Sequence, residues 1–277
     1  MAGACDVLKN PDEPTPLSTV VTYDALGASD TIGYGGSNPC IPLIACTSGP
    51  GYVQQVTRRL QSSGKDVTLQ NLGVPGAVLS PEVQTLMQSM NGCEAQGFNI
   101  CRNVLSDEAP YVRRTATLAT LFIGANDANA IGRAVKNGLG GSNQAAYIQT
   151  HIQNFARDMQ TFVTTVRGRS PNIRIVVLNL PNMANTPYAA ALPLAEKRVL
   201  QQLTVGFSAG INALTSQGVR VVDLMCDANF YNPSIFSADG FHPNDTGYNY
   251  MTELVYAAAT SSTPSAPRAS CSYMTIY

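Results

Sequence analysis

Three side chains of the sequence have the types that nucleophilic acyl transfer requires, namely a hydroxyl, an imidazole and a carboxylate. Ser29 follows an apolar run, and Asp239 stands three residues before His242 in a loop bounded by glycine and proline. At this separation one turn lets the carboxylate accept the ring Nδ1–H, which leaves Nε2 to take a proton from a hydroxyl. The spacing predicts Ser29 as nucleophile, His242 as general base and Asp239 as the group that orients the base.

Each of these residues also has an ordinary structural explanation. A serine at the end of a strand is typical of a helix N-cap, and Asp239 with His242 is typical of a capping acid beside a surface histidine. The other histidine, His151, falls in a long amphipathic pattern, so we expect it to be structural. Because the chain has two histidines and no Cys-x-x-Cys, we expect no metal site.

Acyl transfer also needs hydrogen-bond donors for the developing oxyanion. Asn126 offers a side-chain amide, and Gly76 a backbone N–H that no side chain obstructs. With the backbone N–H of Ser29 they would form a three-donor oxyanion hole. An asparagine in Gly-x-Asn-Asp is also ordinary turn chemistry.

The elements that must position these residues alternate along the chain. Five short runs rich in branched residues predict buried strands at 20–26, 67–72, 117–123, 173–180 and 219–224. Apolar stripes at helical spacing lie between them, the clearest at 148–166 and 200–214, and a last helix follows Pro243 with Asn244 or Asp245 as cap. This alternation predicts an α/β fold, a three-layer α/β/α sandwich with a five-stranded parallel sheet.

Ligands of open parallel sheets bind outside the carboxyl ends of the strands. The loops at 27–30, 73–76 and 124–127 follow the first three predicted strands, and 239–244 lies downstream of the fifth. We expect the four loops to converge. Two long connections, 78–114 and 128–143, are interpreted as a wall of the acyl pocket and a mobile rim, or alternatively as irregular structural inserts.

Four sequence blocks carry a family resemblance. Residues 23–29, 71–76, 124–127 and 239–244 read YDALGAS, NLGVPG, GAND and DGFHPN. In this order and spacing they resemble the blocks of the SGNH (GDSL-like) hydrolases, over residues 20–258. The resemblance implies a flavodoxin-like strand order, the roles assigned above, an acyl-Ser29 intermediate and no cofactor.

One block departs from the family pattern. The usual Gly-Asp-Ser reads Gly-Ala-Ser here, and an acid follows the nucleophile as Asp30. The acid before the serine supports the site and does not belong to the triad, so the mechanism stands. Asp30 or Asp127 is expected to substitute for it.

A second motif competes for the nucleophile. Residues 206–210 read GFSAG, which matches the Gly-x-Ser-x-Gly elbow of α/β-hydrolases. That elbow needs a strand immediately before it, whereas a helical stripe runs through Ser208. We therefore interpret the motif as a small-residue helix face.

Several functions remain open on these residues. The first is a serine esterase acting on short- to medium-chain acyl or acetyl esters of small molecules, glycans or lipids. The alternatives are an O-acyltransferase with the same triad and a secreted binding module with a vestigial site. Seventeen Lys and Arg against eighteen Asp and Glu leave a net charge of −1, which gives no electrostatic footprint for nucleic acid.

Seven cysteines indicate an oxidising compartment. Cys40 with Cys46 and Cys93 with Cys101 lie close in loop-like segments, and Cys226 would pair with Cys271 by elimination, although connectivity cannot be deduced from sequence alone. The alternative is a set of reduced, partly buried thiols.

The expected organisation is an N-terminal segment 1–18, a hydrolase domain 19–260 and a C-terminal tail 261–277 tied down by Cys271. No apolar stretch is long enough to span a membrane. Met1 to Cys5 resembles the end of a bacterial lipoprotein signal, so Cys5 is a candidate site for a lipid anchor. We expect a secreted or extracytoplasmic protein, with the membrane-anchored lipoprotein as a variant.

Overall fold

The structure of the protein is a computed structural model that describes residues 17–92, 94–95, 98–99 and 101–276. The candidate anchor site Cys5 and the cysteine expected to pair with Cys101, Cys93, lie outside the described residues.

Five parallel strands form the central sheet. They are β1 (Val20–Gly27), β2 (Asp66–Asn71), β3 (Leu118–Phe122), β4 (Arg174–Leu178) and β5 (Arg220–Val222). Their order is β2-β1-β3-β4-β5, which is the flavodoxin-like order that the family resemblance implies. Each strand coincides with one of the predicted apolar runs.

The fourth predicted strand ends earlier than the sequence suggested, at Leu178 rather than at residue 180. Leu180 is buried like a strand residue, but its N–H and its carbonyl bind the Ser208 hydroxyl instead of a neighbouring strand. Asn179 still donates its N–H to the Val222 carbonyl, and its side-chain amide bonds to Asn212 and Asp223.

Helices cover both faces of the sheet. On one face α1 (Tyr52–Ser62) packs against α7 (Asp245–Thr260). On the other face α5 (Gln144–Arg169) packs against α6 (Leu194–Ala213), and these two helices contain the predicted apolar stripes. The cap of α7 is Asn244, whose side chain accepts from the N–H of Gly247.

Three further helices occupy the connections that were interpreted as long loops. They are α2 (Pro81–Ser89), α3 (Val104–Asp107) and α4 (Ala125–Lys136). The interpretation of 128–143 as a mobile rim is therefore wrong for its first half, where α4 buries Ala128, Ile131 and Ala134.

Two of the predicted disulfides are present, Cys40–Cys46 and Cys226–Cys271. The second bond fastens the C-terminal tail to the loop after β5. Hydrogen bonds extend this attachment, from the Arg268 N–H to Asp223 and from the Asn182 amide to the Tyr273 carbonyl. Among the described residues no helix is both long enough and apolar enough to cross a membrane.

Candidate active site

Ser29 lies where β1 leaves the sheet. Gly27 ends the strand with φ at +129°, and a Cβ there would lie 2.3 Å from the Phe122 carbonyl oxygen, so only glycine fits. Ser29 then opens a short 3-10 helix, Ser29–Ile32, and its side chain is held at the carboxyl edge of the sheet. Only 1% of Ser29 is exposed.

The three predicted triad residues are in contact. Ser29 Oγ lies 2.8 Å from His242 Nε2, and His242 Nδ1 lies 2.6 Å from Asp239 Oδ2. Because Nδ1 faces a carboxylate, the ring carries its proton there and Nε2 is left to accept from the serine. The arrangement can remove the serine proton and stabilise the imidazolium that results.

The loop around Asp239 keeps this acid ionised. Burial acts to raise the pKa of Asp239, but hydrogen bonds from the His242 ring and N–H and from the Ser237 hydroxyl outweigh it and hold the pKa well below its usual range. The Phe241 N–H also donates to the carboxylate. Edge-on contacts from the Tyr34 and Phe241 rings, each 4.8 Å between centroids, enclose the imidazole.

Asn126 and Gly76 lie together on the side of the site formed by β2 and α4. Asn126 lines the same small cavity as Ser29, and one N–H of its amide donates to the Ala77 carbonyl at 2.9 Å. The amide nitrogen carries a second hydrogen that a substrate oxygen could accept. Gly76, beside Ala77, has φ at +78° and presents no side chain. The turn that carries Gly76 is thus linked directly to Asn126.

A second cavity adjoins the one at Ser29. Its walls are mostly apolar and include Leu180, Met183, Phe230, Phe236 and Phe241. They come from the segments around β3, from 180–186 and from 230–243, and not from 78–114 as the sequence suggested. The arrangement offers an apolar chain a space directly beside the serine.

Besides Asp24, which lies in β1 and pairs with Arg113, three acids are buried in the described part of the chain, namely Asp30, Asp127 and Glu108. Asp30 lines both cavities and lies 3.4 Å from the Tyr248 hydroxyl, and burial raises its pKa. Asp127 accepts from the Leu79 N–H, and burial raises its pKa to about 7.

The third acid, Glu108, was missed by the sequence analysis. Its Oε2 accepts from the Gly27 N–H at 2.7 Å, and burial raises its pKa well above the usual range. It reaches β1 from a connection 81 positions away, and no local motif marks it.

Neither the second serine motif nor the second histidine belongs to this site. Ser208 is buried within α6, and its hydroxyl is bonded to the backbone of Leu180. A Cβ on Gly206 would lie 2.7 Å from the Ile152 side chain, so this glycine allows α6 to approach α5 closely. His151 lies in α5, with Nδ1 3.5 Å from Glu82.

The described part of the chain has no group of three or more His, Cys, Asp or Glu side chains that could hold a metal ion. The site therefore consists of a hydroxyl, an imidazole, an ionised carboxylate, an amide and an apolar cavity.

Comparisons with known proteins agree with this architecture. Solved structures similar to the chain include the lipase Lip_vut3 from a goat rumen metagenome, with 17% identity, a TM-score of 0.58 and coverage of 87% of this chain and 98% of that chain. An extracellular lipase from Streptomyces rimosus shares 19% identity over 86% of this chain and 99% of that chain, with a TM-score of 0.52. An acetyl xylan esterase from Geobacillus stearothermophilus shares 14% identity over 87% of this chain and 97% of that chain, with a TM-score of 0.54.

At these identities the likeness is one of fold. No curated protein sequence matches the chain. The model of the GDSL-like lipase/acylhydrolase family, however, matches residues 25–250. This chain belongs to that family of ester hydrolases.

Proposed function

We propose that the protein is a serine esterase that hydrolyses carboxylic esters through an acyl-Ser29 intermediate. The observation that carries the proposal is the contact of Ser29 Oγ with His242 Nε2 at 2.8 Å. The other ring nitrogen of His242, Nδ1, contacts Asp239 at the same time. A hydroxyl held by an oriented base is the arrangement that activates serine for attack on a carbonyl.

In the first half-reaction His242 takes the proton of Ser29 as the hydroxyl oxygen bonds to the ester carbonyl carbon. The carbonyl oxygen becomes an oxyanion, which the N–H groups of Ser29 and Gly76 and the Asn126 amide stabilise. The intermediate then expels the alcohol, which receives the proton from His242. In the second half-reaction water attacks the acyl carbon as His242 takes its proton. The bond from the acyl carbon to Ser29 Oγ then breaks, the acid is released, and Ser29 Oγ takes the proton back from His242.

The substrate proposed is an ester with an acetyl or a short- to medium-chain acyl group. The apolar walls of the cavity beside Ser29 support an apolar acyl chain, because moving aliphatic groups out of water lowers their free energy. The named relatives include both lipases and an acetyl xylan esterase.

We also propose that the protein works outside the cytoplasm. Two disulfides in the described residues support an oxidising compartment. Residues 19–260 would then be the hydrolase domain, and the tail 261–277, bonded through Cys271, an appendage that is fastened covalently to it.

The test is the initial hydrolysis rate on chromogenic esters of increasing acyl length. We expect Ser29→Ala to lower kcat by at least about a thousandfold, since the nucleophile is removed. Ser208→Ala, the matched control, should stay within a few-fold of the parent in kcat, while losing stability through the unpaired Leu180 backbone. The acyl-length profile measures the depth of the pocket.

Two outcomes would refute the proposal. Loss of activity in Ser208→Ala but not in Ser29→Ala would move the nucleophile to α6. Activity that survives both changes would exclude an acyl-Ser29 intermediate. Two further results would indicate one of the alternative functions. Transfer of most of the acyl group to a competing alcohol would identify an O-acyltransferase, and failure of the parent on every ester would favour a binding module.

A further inference from the structure

A disulfide closes an exposed apolar loop beside the candidate active site. Cys40 and Cys46 bound this segment, which we call the stapled loop. Ile41, Leu43 and Ile44 are 64%, 69% and 58% exposed, so three large apolar side chains project within four positions. Exposing such a cluster to water is unfavourable, and an apolar contact that covers it lowers the free energy.

The backbone of the stapled loop favours a contact role for Leu43. Its φ is +62°, in the left-handed region that glycine or asparagine occupies at lower free energy. An exposed leucine gains no burial within the protein to offset this strain. Strain of this kind, held in a loop by a cross-link, is typical of positions selected for contact with something else.

The stapled loop belongs to the rim of the site. The Cys40 N–H donates to the carbonyl of Ile32, at the end of the helix that Ser29 opens. Between them, the Tyr34 ring packs edge-on against His242, and a Cβ on Gly35 would lie 2.7 Å from the His242 Cβ. A surface in contact with the loop would therefore lie close to the catalytic histidine.

The charge pattern defines the kind of surface. Between Thr31 and Thr57 the sequence has no Asp, Glu, Lys, Arg or His. A segment without charge has no attraction for anionic headgroups, which bind clusters of Lys and Arg. Charged side chains reach only the flanks of the segment, where Arg58 donates to the carbonyls of Thr47 and Gly49 and Asp245 accepts from the Ser37 N–H. An apolar tip without a cluster of Lys and Arg, beside the site of an ester hydrolase, fits an uncharged apolar phase.

We propose that the stapled loop inserts Ile41, Leu43 and Ile44 into the surface of aggregated neutral ester lipid and holds the mouth of the site against that phase. The inference rests on the proposed function, because it takes the lipid ester as the substrate. It adds the physical state of the substrate, an interface rather than a dissolved monomer.

The test is adsorption to triolein emulsion droplets, measured as protein depleted from solution on flotation. The parent carries Ser29→Ala so that the droplets stay intact. Replacing Ile41, Leu43 and Ile44 by serine should lower the partition coefficient on the order of a thousandfold, about tenfold for each of the three inserted side chains. The matched control, Val20→Ser with Ile276→Ser, removes exposed apolar side chains outside the stapled loop and should adsorb like the parent.

A single variant separates contact from folding. Leu43→Gly suits the left-handed backbone, so it should leave Tm equal or higher while adsorption falls by at least about fivefold. A lower Tm with unchanged adsorption would show that Leu43 has a structural role only, and would overturn the proposal.

Three other results would overturn it. They are equal adsorption of the triple variant and the parent, adsorption that weakens strongly with added salt, and a change of oligomeric state in the triple variant that shows the loop binding a second copy. Adsorption is measured without catalysis, whereas the proposed function is tested on dissolved esters. Adsorption of the Ser29→Ala parent, together with failure of the wild-type protein on every dissolved ester, would refute only the proposed function.

Discussion

At the scale of the residue, His242 is fixed by three neighbours of different kinds. Asp239 accepts from its Nδ1, Ser29 Oγ contacts its Nε2, and Tyr34 packs edge-on against the ring. The ring therefore has one tautomer and one orientation, which is what a base needs before substrate arrives. Asn126 is held in the same way by the Ala77 carbonyl.

Replacing Asn126 with alanine removes one proposed oxyanion donor. We expect kcat to fall by about 10²- to 10³-fold with little change in KM, because the donor acts on charge that develops only in the transition state. Asn129→Ala is the control, since Asn129 lies on the same helix and accepts from the Tyr188 hydroxyl. Equal losses in both variants, or a change confined to KM, would count against the assignment.

The sequence predicted the candidate triad because its members carry local information. Asp239 and His242 lie within one turn, and Ser29 follows directly on a strand. Glu108 could not be predicted, because it approaches Gly27 from 81 positions away and depends on the tertiary path of its connection. Nothing in the sequence around Glu108 indicates that its carboxyl is buried.

At the scale of the element, the first turn of α4 holds the turn between β2 and α2. Asn126 binds the Ala77 carbonyl, and the next residue, Asp127, binds the Leu79 N–H. The other oxygen of Asp127, Oδ2, is buried without a hydrogen-bond partner. The nearby carboxyl of Asp158, on α5, raises the pKa of Asp127 further by charge repulsion.

Asp127 should make stability fall as pH rises. Its folded pKa of about 7 exceeds the ordinary 3.8, so between these values the folded state binds the proton more tightly than the unfolded state does. The free energy of unfolding then decreases from about pH 4 to about pH 7, by an amount on the order of 4 kcal/mol. Asp127→Asn should reduce the decrease by this amount and leave the contributions of Asp30 and Glu108, whose pKa values burial also raises. Urea titrations across that range measure the change.

The comparison uses slopes because the asparagine N–H is itself buried and lowers stability at every pH. Asp66→Asn, at the exposed start of β2, is the control and should keep the slope of the parent. An unchanged slope in Asp127→Asn would show that another group causes the pH dependence.

Elements with branched residues were predictable and alanine-rich ones were not. The strands and the stripes of α5 and α6 are rich in Val, Ile, Leu and Phe, whose periodicity is strong. Helix α4 buries Ala128, Ala130 and Ala134 and contains Gly132, so few large apolar side chains mark its buried face, and the segment was interpreted as a loop. The Gly-x-Ser-x-Gly motif was resolved by context, since a helix passes through it.

At the scale of the whole molecule, covalent bonds add to a core that the sheet and its helices already form. Cys226–Cys271 closes a separation of 45 residues, and Cys40–Cys46 one of 6. In the chain-entropy account the longer closure restricts the unfolded chain more. The spacing of the cysteines predicted Cys40–Cys46 and elimination predicted Cys226–Cys271, whereas the order of strands in the sheet came from family resemblance and not from composition.

Replacing Cys226 and Cys271 with serine should lower the free energy of unfolding by about 4 kcal/mol, and the same change at Cys40 and Cys46 by about 2 kcal/mol. Urea unfolding of both variants in non-reducing buffer gives the comparison. A larger loss from the shorter loop would mean that native contacts rather than chain entropy determine the effect. Hydrolysis of a dissolved ester then reports whether the tail is needed by the site.

The contact between Ser29 and His242 also has a kinetic meaning. It joins residues 213 positions apart, from the first strand and from the loop before the last helix, where α7 docks on α1. Contacts of such high sequence separation form slowly, because the chain between them must be ordered first. During refolding, the circular-dichroism signal of the helices will therefore return before hydrolytic activity does. The rate at which activity returns will measure how fast Ser29 and His242 come into contact.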